Sequence, residues 1–229
     1  MTITPTKLTR AAGLCAVVAG ALFIAVQVKH PTLDLDFVTT TEWKVRQSAK
    51  VVMAVLSLAG ITGMYLRQVR QTRLLGLVGY ALFAVGYLIM LSIEVAALVV
   101  LPSITDGSPA YVTSVLAVAT GGHATSDVGL MLPLNLVSAA TYLVGGFLFG
   151  VALFRADVLA RWAAVLLAAG TVATIGVVLF PDVNFRLFAL PIGVAMIGLG
   201  YSLWRDGRGT ATQPTPTAVS SQPDLAGAK

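Results

Sequence analysis

The sequence predicts an all-α, polytopic membrane helix bundle of six transmembrane helices with both termini inside, and three observations carry that prediction. Hydrophobic residues make up 57% of the 229 positions and charged residues only 11%, where a soluble domain carries about 25% charged residues. Six windows hold no charge at all, and about 20 such residues in a helix cross the ~30 Å hydrocarbon layer. Lysine and arginine favour the connectors of one side, as the positive-inside rule requires.

The uncharged windows are 11–28, 51–66, 74–93, 128–154, 162–181 and 187–204. In hydrocarbon every backbone amide must be satisfied within its own segment, which makes each window a predicted helix. The first follows Lys7 and Arg10. Its apolar core exceeds the ~7–15 residues of a secretion signal and runs to Val28 without a convincing cleavage site, so it is a retained span. The third continues past Glu94 to Pro102 and is longer than the bilayer is thick, so it either tilts or projects outward. The connectors 67–73 and 155–161 are short, which predicts that spans 2–3 and 4–5 are antiparallel hairpins in contact. Between spans 3 and 4, Tyr111–Thr120 (YVTSVLAVAT) reads as a short helix lying on the surface or packed over the bundle, and 121–127 (GGHATSD) as a polar turn. Pro133 and Pro191 are expected to kink the fourth and sixth spans. Residues 1–206 form the membrane domain, and 207–229 a disordered cytoplasmic tail too polar to offset its ordering entropy.

Placing the N-terminus inside puts nine of the membrane-flanking cations on the inner side and five (Lys29, Lys44, Arg46, Lys50 and Arg186) outside. Trp162 and Trp204 at inner ends and Trp43 near an outer end suit interfacial belts. The net charge of +5 is scattered over segment ends, which argues against a nucleic-acid partner. Cys15 stands alone, so no intramolecular disulfide forms. Ala12, Ala16 and Gly20, and Gly146 with Gly150, have the small-xxx-small spacing that lets helices approach closely.

Two internal similarities compete. Gly79-Tyr-Ala-Leu-Phe-Ala-Val-Gly-Tyr87 aligns with Gly193-Val-Ala-Met-Ile-Gly-Leu-Gly-Tyr201, as in the inverted three-plus-three repeat of some transporters. Arg67-x5-Arg73 instead aligns with Arg155-x5-Arg161, which pairs hairpin 2–3 with hairpin 4–5.

Glu94 is the one acidic residue embedded in an otherwise apolar helix. At 1.5 Å per residue it lies about 31 Å from Arg73, Lys50 about 25 Å from Arg67, and Lys29 about 28 Å from Arg10. These heights nearly coincide near the outer boundary, where a carboxylate is costly unless paired or hydrated. Lys50 is its natural partner, with Lys29 or Arg46 as substitutes. His30, Gln27 and Asn135 are candidates to complete an outer polar cluster, and His123 and Asp127 to fold over it from the loop. The cluster is either a structural ion pair or a ligand or proton site.

Two histidines without ligand spacing make no zinc centre, and no metal or cofactor site is predicted. Asp34, Asp36 and Glu42 read as a solvated loop, and Tyr80, Tyr87 and Tyr142 as helix-packing residues. No nucleophile-elbow, zincin or P-loop pattern is present, no catalytic residue is assigned, and every lysine lies at a boundary, in a loop or at the terminus.

Met64-Tyr-Leu-Arg-Gln-Val-Arg70, Leu75-Gly-Leu-Val-Gly-Tyr80 and Ile197-Gly-Leu-Gly-Tyr-Ser-Leu-Trp204 resemble the small six-helix membrane proteins of unassigned function common in actinobacteria. The resemblance spans residues 8–205 and implies a topology only. The expectation is a multi-pass plasma-membrane protein whose partners are the lipid bilayer and either another membrane protein or a small amphiphilic ligand. A non-catalytic sensory or partner-binding role leads. A transporter of a small or amphiphilic solute is the first alternative, and an outward-facing lipid-modifying enzyme using Glu94 and His123 the second.

Overall fold

The computed structural model describes residues 4–29, 31–175 and 189–209, the last three by backbone only. His30, Arg186, residues 176–181 of the fifth window, the start of the sixth and the tail beyond Gly209 lie outside the described residues. Nine helices are described: α1 (Pro5–Ala25), α2 (Leu35–Val38), α3 (Thr41–Arg67), α4 (Val69–Val99), α5 (Leu101–Ile104), α6 (Pro109–Ala119), α7 (Met131–Ala156), α8 (Arg161–Ala173) and α9 (Leu190–Gly209). Among the described residues every regular element is helical.

Four of these, α1, α3, α4 and α7, are long and apolar enough to cross a membrane. Their starts follow local chemistry. The Thr4 side chain accepts from Lys7 N ahead of Pro5 at the first helical position, and Thr40 accepts from Trp43 N, each satisfying an amide that has no intrahelical partner. Large apolar side chains on these helices remain exposed, among them Leu14, Val52, Val55, Leu77, Leu88, Val137 and Phe147. So wide an apolar surface suits lipid and not water. Of the predicted fifth span, α8 provides 13 residues, or about 20 Å.

The long helices form a ring in chain order, α1–α3–α4–α7–α8–α9, which closes where α9 packs on α1. The two predicted hairpins are present, with α3 against α4 and α7 against α8. The backbone turns at Arg73 (φ 49°), which interrupts α4 after its first turn, and at Asp157 (φ 54°) after α7.

Two crossings dominate the ring. At α1–α9 a Cβ on Gly13 would stand 2.7 Å from Gly200 O, and one on Gly20 would collide with Gly193 O. At α4–α7 a Cβ on Gly79 would stand 2.5 Å from Phe149 N, and one on Gly86 2.8 Å from Tyr142 N. The glycines that align in the sequence, Gly79 with Gly193 and Gly86 with Gly200, therefore do the same work in two different helices. Both crossings are antiparallel, so the start of α1 and the end of α9 lie at one end of the bundle.

Pro133 does not bend its helix as expected: it is the third residue of α7, a position where the missing N–H would have had no intrahelical acceptor. The chain leading into Pro191, 176–188, lies outside the described residues.

The buried residues fall into two cores. The larger fills the ring with Ile61, Met64, Phe83, Tyr87, Phe149, Leu153, Leu167, Met196, Leu199 and their neighbours. The smaller lies beyond the N-terminal end of α3 and the C-terminal end of α4 and is built from Phe37, Val38, Trp43, Ala97, Leu101, Val112, Val115, Leu116, Val118 and Val128. α3 with its 27 residues runs to about 40 Å and the part of α4 beyond Arg73, 74–99, to about 39 Å, so each outlasts a ~30 Å hydrocarbon layer and carries a small cap of α2, α5 and α6. This settles the choice for α6 in favour of packing over the bundle. It also corrects Trp43, which is 3% exposed inside the cap instead of lying in an interfacial belt.

Candidate functional site

The polar residues that matter lie along the seam between α3 and α4, joined at its middle by Tyr142 of α7. On α3 the buried or half-buried positions Trp43, Gln47, Lys50, Ala54, Ser57 and Ile61 recur at three- and four-residue spacing, which places them on one face of the helix. On α4 the matching face carries Tyr80, Tyr87 and Glu94, each seven residues after the last. The seam therefore presents polar groups in tiers two helical turns apart.

The tier nearest the cap is the predicted cluster, in reduced form. Gln47 Nε2 donates to Glu94 Oε2 at 2.7 Å, and Lys50 Nζ stands 3.5 Å from the same oxygen. The Lys50 and Glu94 side chains are 20% and 17% exposed, and Gln47 is buried. One turn further out, Trp43 Nε1 donates to Ala97 O at 3.0 Å and the indole meets Phe37 edge-on. Glu94 is thus enclosed by an amide and an ammonium from the adjacent helix, directly beneath the cap. Coulomb attraction at such a site exceeds that of a surface pair because solvent screens it less.

The other predicted members are placed elsewhere. Arg46 faces the end of α1, where its guanidinium donates to the carbonyls of Val26, Val28 and Lys29 at 3.1, 3.2 and 3.1 Å and pairs with Glu42 at 2.8 Å. It closes a helix end whose last carbonyls have no intrahelical donor. Lys29 is exposed at a positive φ of 45°. Asn135 Nδ2 bonds back to Met131 O at 2.9 Å. Asp127 Oδ1 accepts from Gly129 N at 2.8 Å, and His123 is exposed in the turn after α6. His30 lies outside the described residues. Asp34 is not simply solvated: it accepts from Phe37 N and starts α2.

The middle tier consists of Ser57, Tyr87 and Tyr142, from α3, α4 and α7. Tyr87 and Tyr142 meet edge-on at 5.5 Å between centroids, and both pack on Phe83 at 4.9 and 5.1 Å. In the tier farthest from the cap the Tyr80 hydroxyl lies 2.9 Å from Thr62 Oγ1, and its ring stacks on Tyr65 at 4.7 Å. The tyrosines do pack helices, as expected, and they also carry the hydroxyls of the seam.

Gln47 was not legible as part of the cluster because it precedes the uncharged window, in a stretch where Glu42, Lys44, Arg46 and Lys50 suggest solvent. Its spacing from Trp43 and Lys50 is the signal that marks it. No contact joins Glu94 to His123 among the described residues, so an acid–base pair between them has no geometric support. Among the described residues no three His, Cys, Asp or Glu side chains are grouped to share a metal ion.

No family model, curated protein or solved structure matches this chain.

Proposed function

We propose that the protein is a six-span plasma-membrane subunit with both termini inside and a non-catalytic, partner-binding or sensory role exerted through its outer cap. The second hydrophobic core supports this reading most directly. The chain extends α3 and α4 past the membrane and devotes ten buried residues to a compact body. Its loop is fixed, not loose: buried Ser114 Oγ accepts from Thr125 N at 3.1 Å and from Ser126 N at 3.0 Å. A rigid surface joined through the Glu94 tier to the spans suits recognition.

The test is photo-crosslinking in native membranes from exposed cap positions such as Thr113 and Ala119, followed by mild solubilisation. The reading expects one discrete cross-linked protein that also co-purifies in fixed stoichiometry. Isolation as a lone species, cross-linked only to lipid, would overturn it. Cysteine labelling at Asp106 and Arg205 in a Cys15→Ser background checks the topology. Impermeant reagent should reach Asp106→Cys and not Arg205→Cys in intact cells.

A second reading, transport of a small solute, is favoured by one observation: the aligned glycines Gly79/Gly86 and Gly193/Gly200 form equivalent crossings in the two halves, as an inverted repeat requires. Saturable uptake into proteoliposomes would establish it, and its absence over a broad solute panel would remove it.

A further inference from the structure

We infer that the groove between α7 and α8 holds an acyl chain of an anionic phospholipid whose phosphate is seated on Arg161 and Arg155. The inference requires only that the bundle lie in a bilayer, and it stands independently of the role given to the cap.

The groove follows from residue size. Gly150 and Ala168 bring the two helices so close that a Cβ on Gly150 would stand 2.7 Å from Ala168 N. The larger Phe147 and Phe154 on α7 and Val165 and Val172 on α8 stand as walls on either side, and the trough between them has a volume of about 600 Å³. Every residue that lines it is apolar, so a water molecule would find no hydrogen-bond partner there. Phe147, Val165 and Val172 are exposed. The trough therefore opens on the outer surface of the ring, where hydrocarbon chains and not water are the solvent.

Its length selects the occupant. Phe147 precedes Ala156, the end of α7, by nine residues or about 14 Å. The trough thus occupies half of a ~30 Å hydrocarbon layer, which is one leaflet. That suits a lipid chain, which ends near the midplane, and not a helix of another protein, which would cross both leaflets.

The charges at its mouth select the headgroup. Arg161, Val165, Ala168 and Val172 recur at three- and four-residue spacing and share one face of α8, so the stripe that lines the trough begins with an arginine at the α7–α8 turn. The Arg161 guanidinium lies over the Phe154 ring, 4.2 Å from its centroid. Exposed Arg155 follows the lining residue Val151 by one turn of α7. Asp157 offsets only one of these two charges, through an exposed pair with Arg161 at 3.6 Å. A guanidinium carries five N–H donors and takes phosphate oxygens in bidentate geometry. The trough and bulk lipid are equally apolar, so the chain alone gives little selection; the arginines supply it.

The test is native mass spectrometry of the full chain released from bilayers of equal phosphatidylcholine and phosphatidylglycerol. One phosphatidylglycerol should be retained in preference to phosphatidylcholine, and Arg161→Gln and Arg155→Gln should each weaken that preference about fivefold, the effect of one charge beside an anionic headgroup. Ala169→Phe, which fills the trough from an exposed lining position, should abolish retention and leave the unfolding midpoint unchanged. Arg70→Gln, exposed at the same end of the bundle but outside the groove, should leave retention unchanged. Equal retention of the two lipids, a loss at Arg70→Gln as large as at Arg161→Gln, or phosphatidylglycerol undiminished by Ala169→Phe would overturn the site.

Discussion

The α1–α9 crossing and the α3–α4 seam solve one problem, holding two helices together in lipid, by opposite means. At α1–α9 the helices touch largely through backbone: Gly13 and Gly20 meet Gly200 and Gly193, with only apolar side-chain atoms of Ala16, Ile24 and Ile197 packed beside them. At α3–α4 the helices are joined by side chains, with Trp43 on Ala97 O, Gln47 and Lys50 on Glu94, and Thr62 with Tyr80. Lipid offers little hydrophobic drive for helix pairing, so association rests on close packing and on interhelical hydrogen bonds. The first seam uses only the former and tolerates no added atom. The second leaves polar groups in the membrane, where they are costly and therefore mark the region that can respond to water, protons or partners.

Substitutions should separate the two seams, with the largest effect at the glycines. Gly20→Val places a branched side chain on the Gly193 carbonyl, where backbone cannot yield as a flexible side chain would. It is expected to cost about 3 kcal/mol or more and to lower the unfolding midpoint steeply in bicelles. In the polar seam, Glu94→Leu leaves half-buried Lys50 and buried Gln47 without their acceptor. The expected loss is about 2 kcal/mol, less than for a fully buried pair because both charged side chains keep some solvent contact. Trp43→Phe keeps the ring but deletes the bond to Ala97 O, for about 1 kcal/mol, read as a smaller midpoint shift confined to the cap. Arg161→Ala removes an exposed pair with Asp157 at 3.6 Å and a cation–π contact with Phe154 at 4.2 Å and should change stability by under about 1 kcal/mol. A glycine change as mild as the arginine change would mean that the α1–α9 crossing is looser than its backbone contacts imply.

The two seams also differ in how much of them the sequence discloses. The uncharged windows place α1, α7 and the inner parts of α3 and α4, because hydrocarbon forbids unpaired charge whatever the neighbours. Gly79/Gly86 and Gly193/Gly200 stand out as a pattern, since close approach requires a small residue at a fixed spacing. The Lys50–Glu94 pair follows from height alone, because two helices of a hairpin share a membrane boundary.

What failed to show is rotation about each helix axis. Nothing in the string of residues told Arg46, which turns toward α1, from Lys50, which turns toward α4. The cap was hidden for a related reason. Glu42, Lys44 and Arg46 look like solvent, yet Trp43 and Gln47 between them are buried because α3 is amphipathic there. Phe37 and Val38 read as a loop until Asp34 is seen to start a helix.

The pairing in the tier nearest the cap is tested most directly by a double-mutant cycle on Glu94→Leu and Lys50→Met, followed by unfolding in bicelles. If Glu94 is held by Lys50 across the α3–α4 seam, each single change destabilises by about 2 kcal/mol and the double change recovers much of that loss, because no unpaired charge remains. Losses that simply add would show that the two residues do not interact, and would contradict the account of the seam.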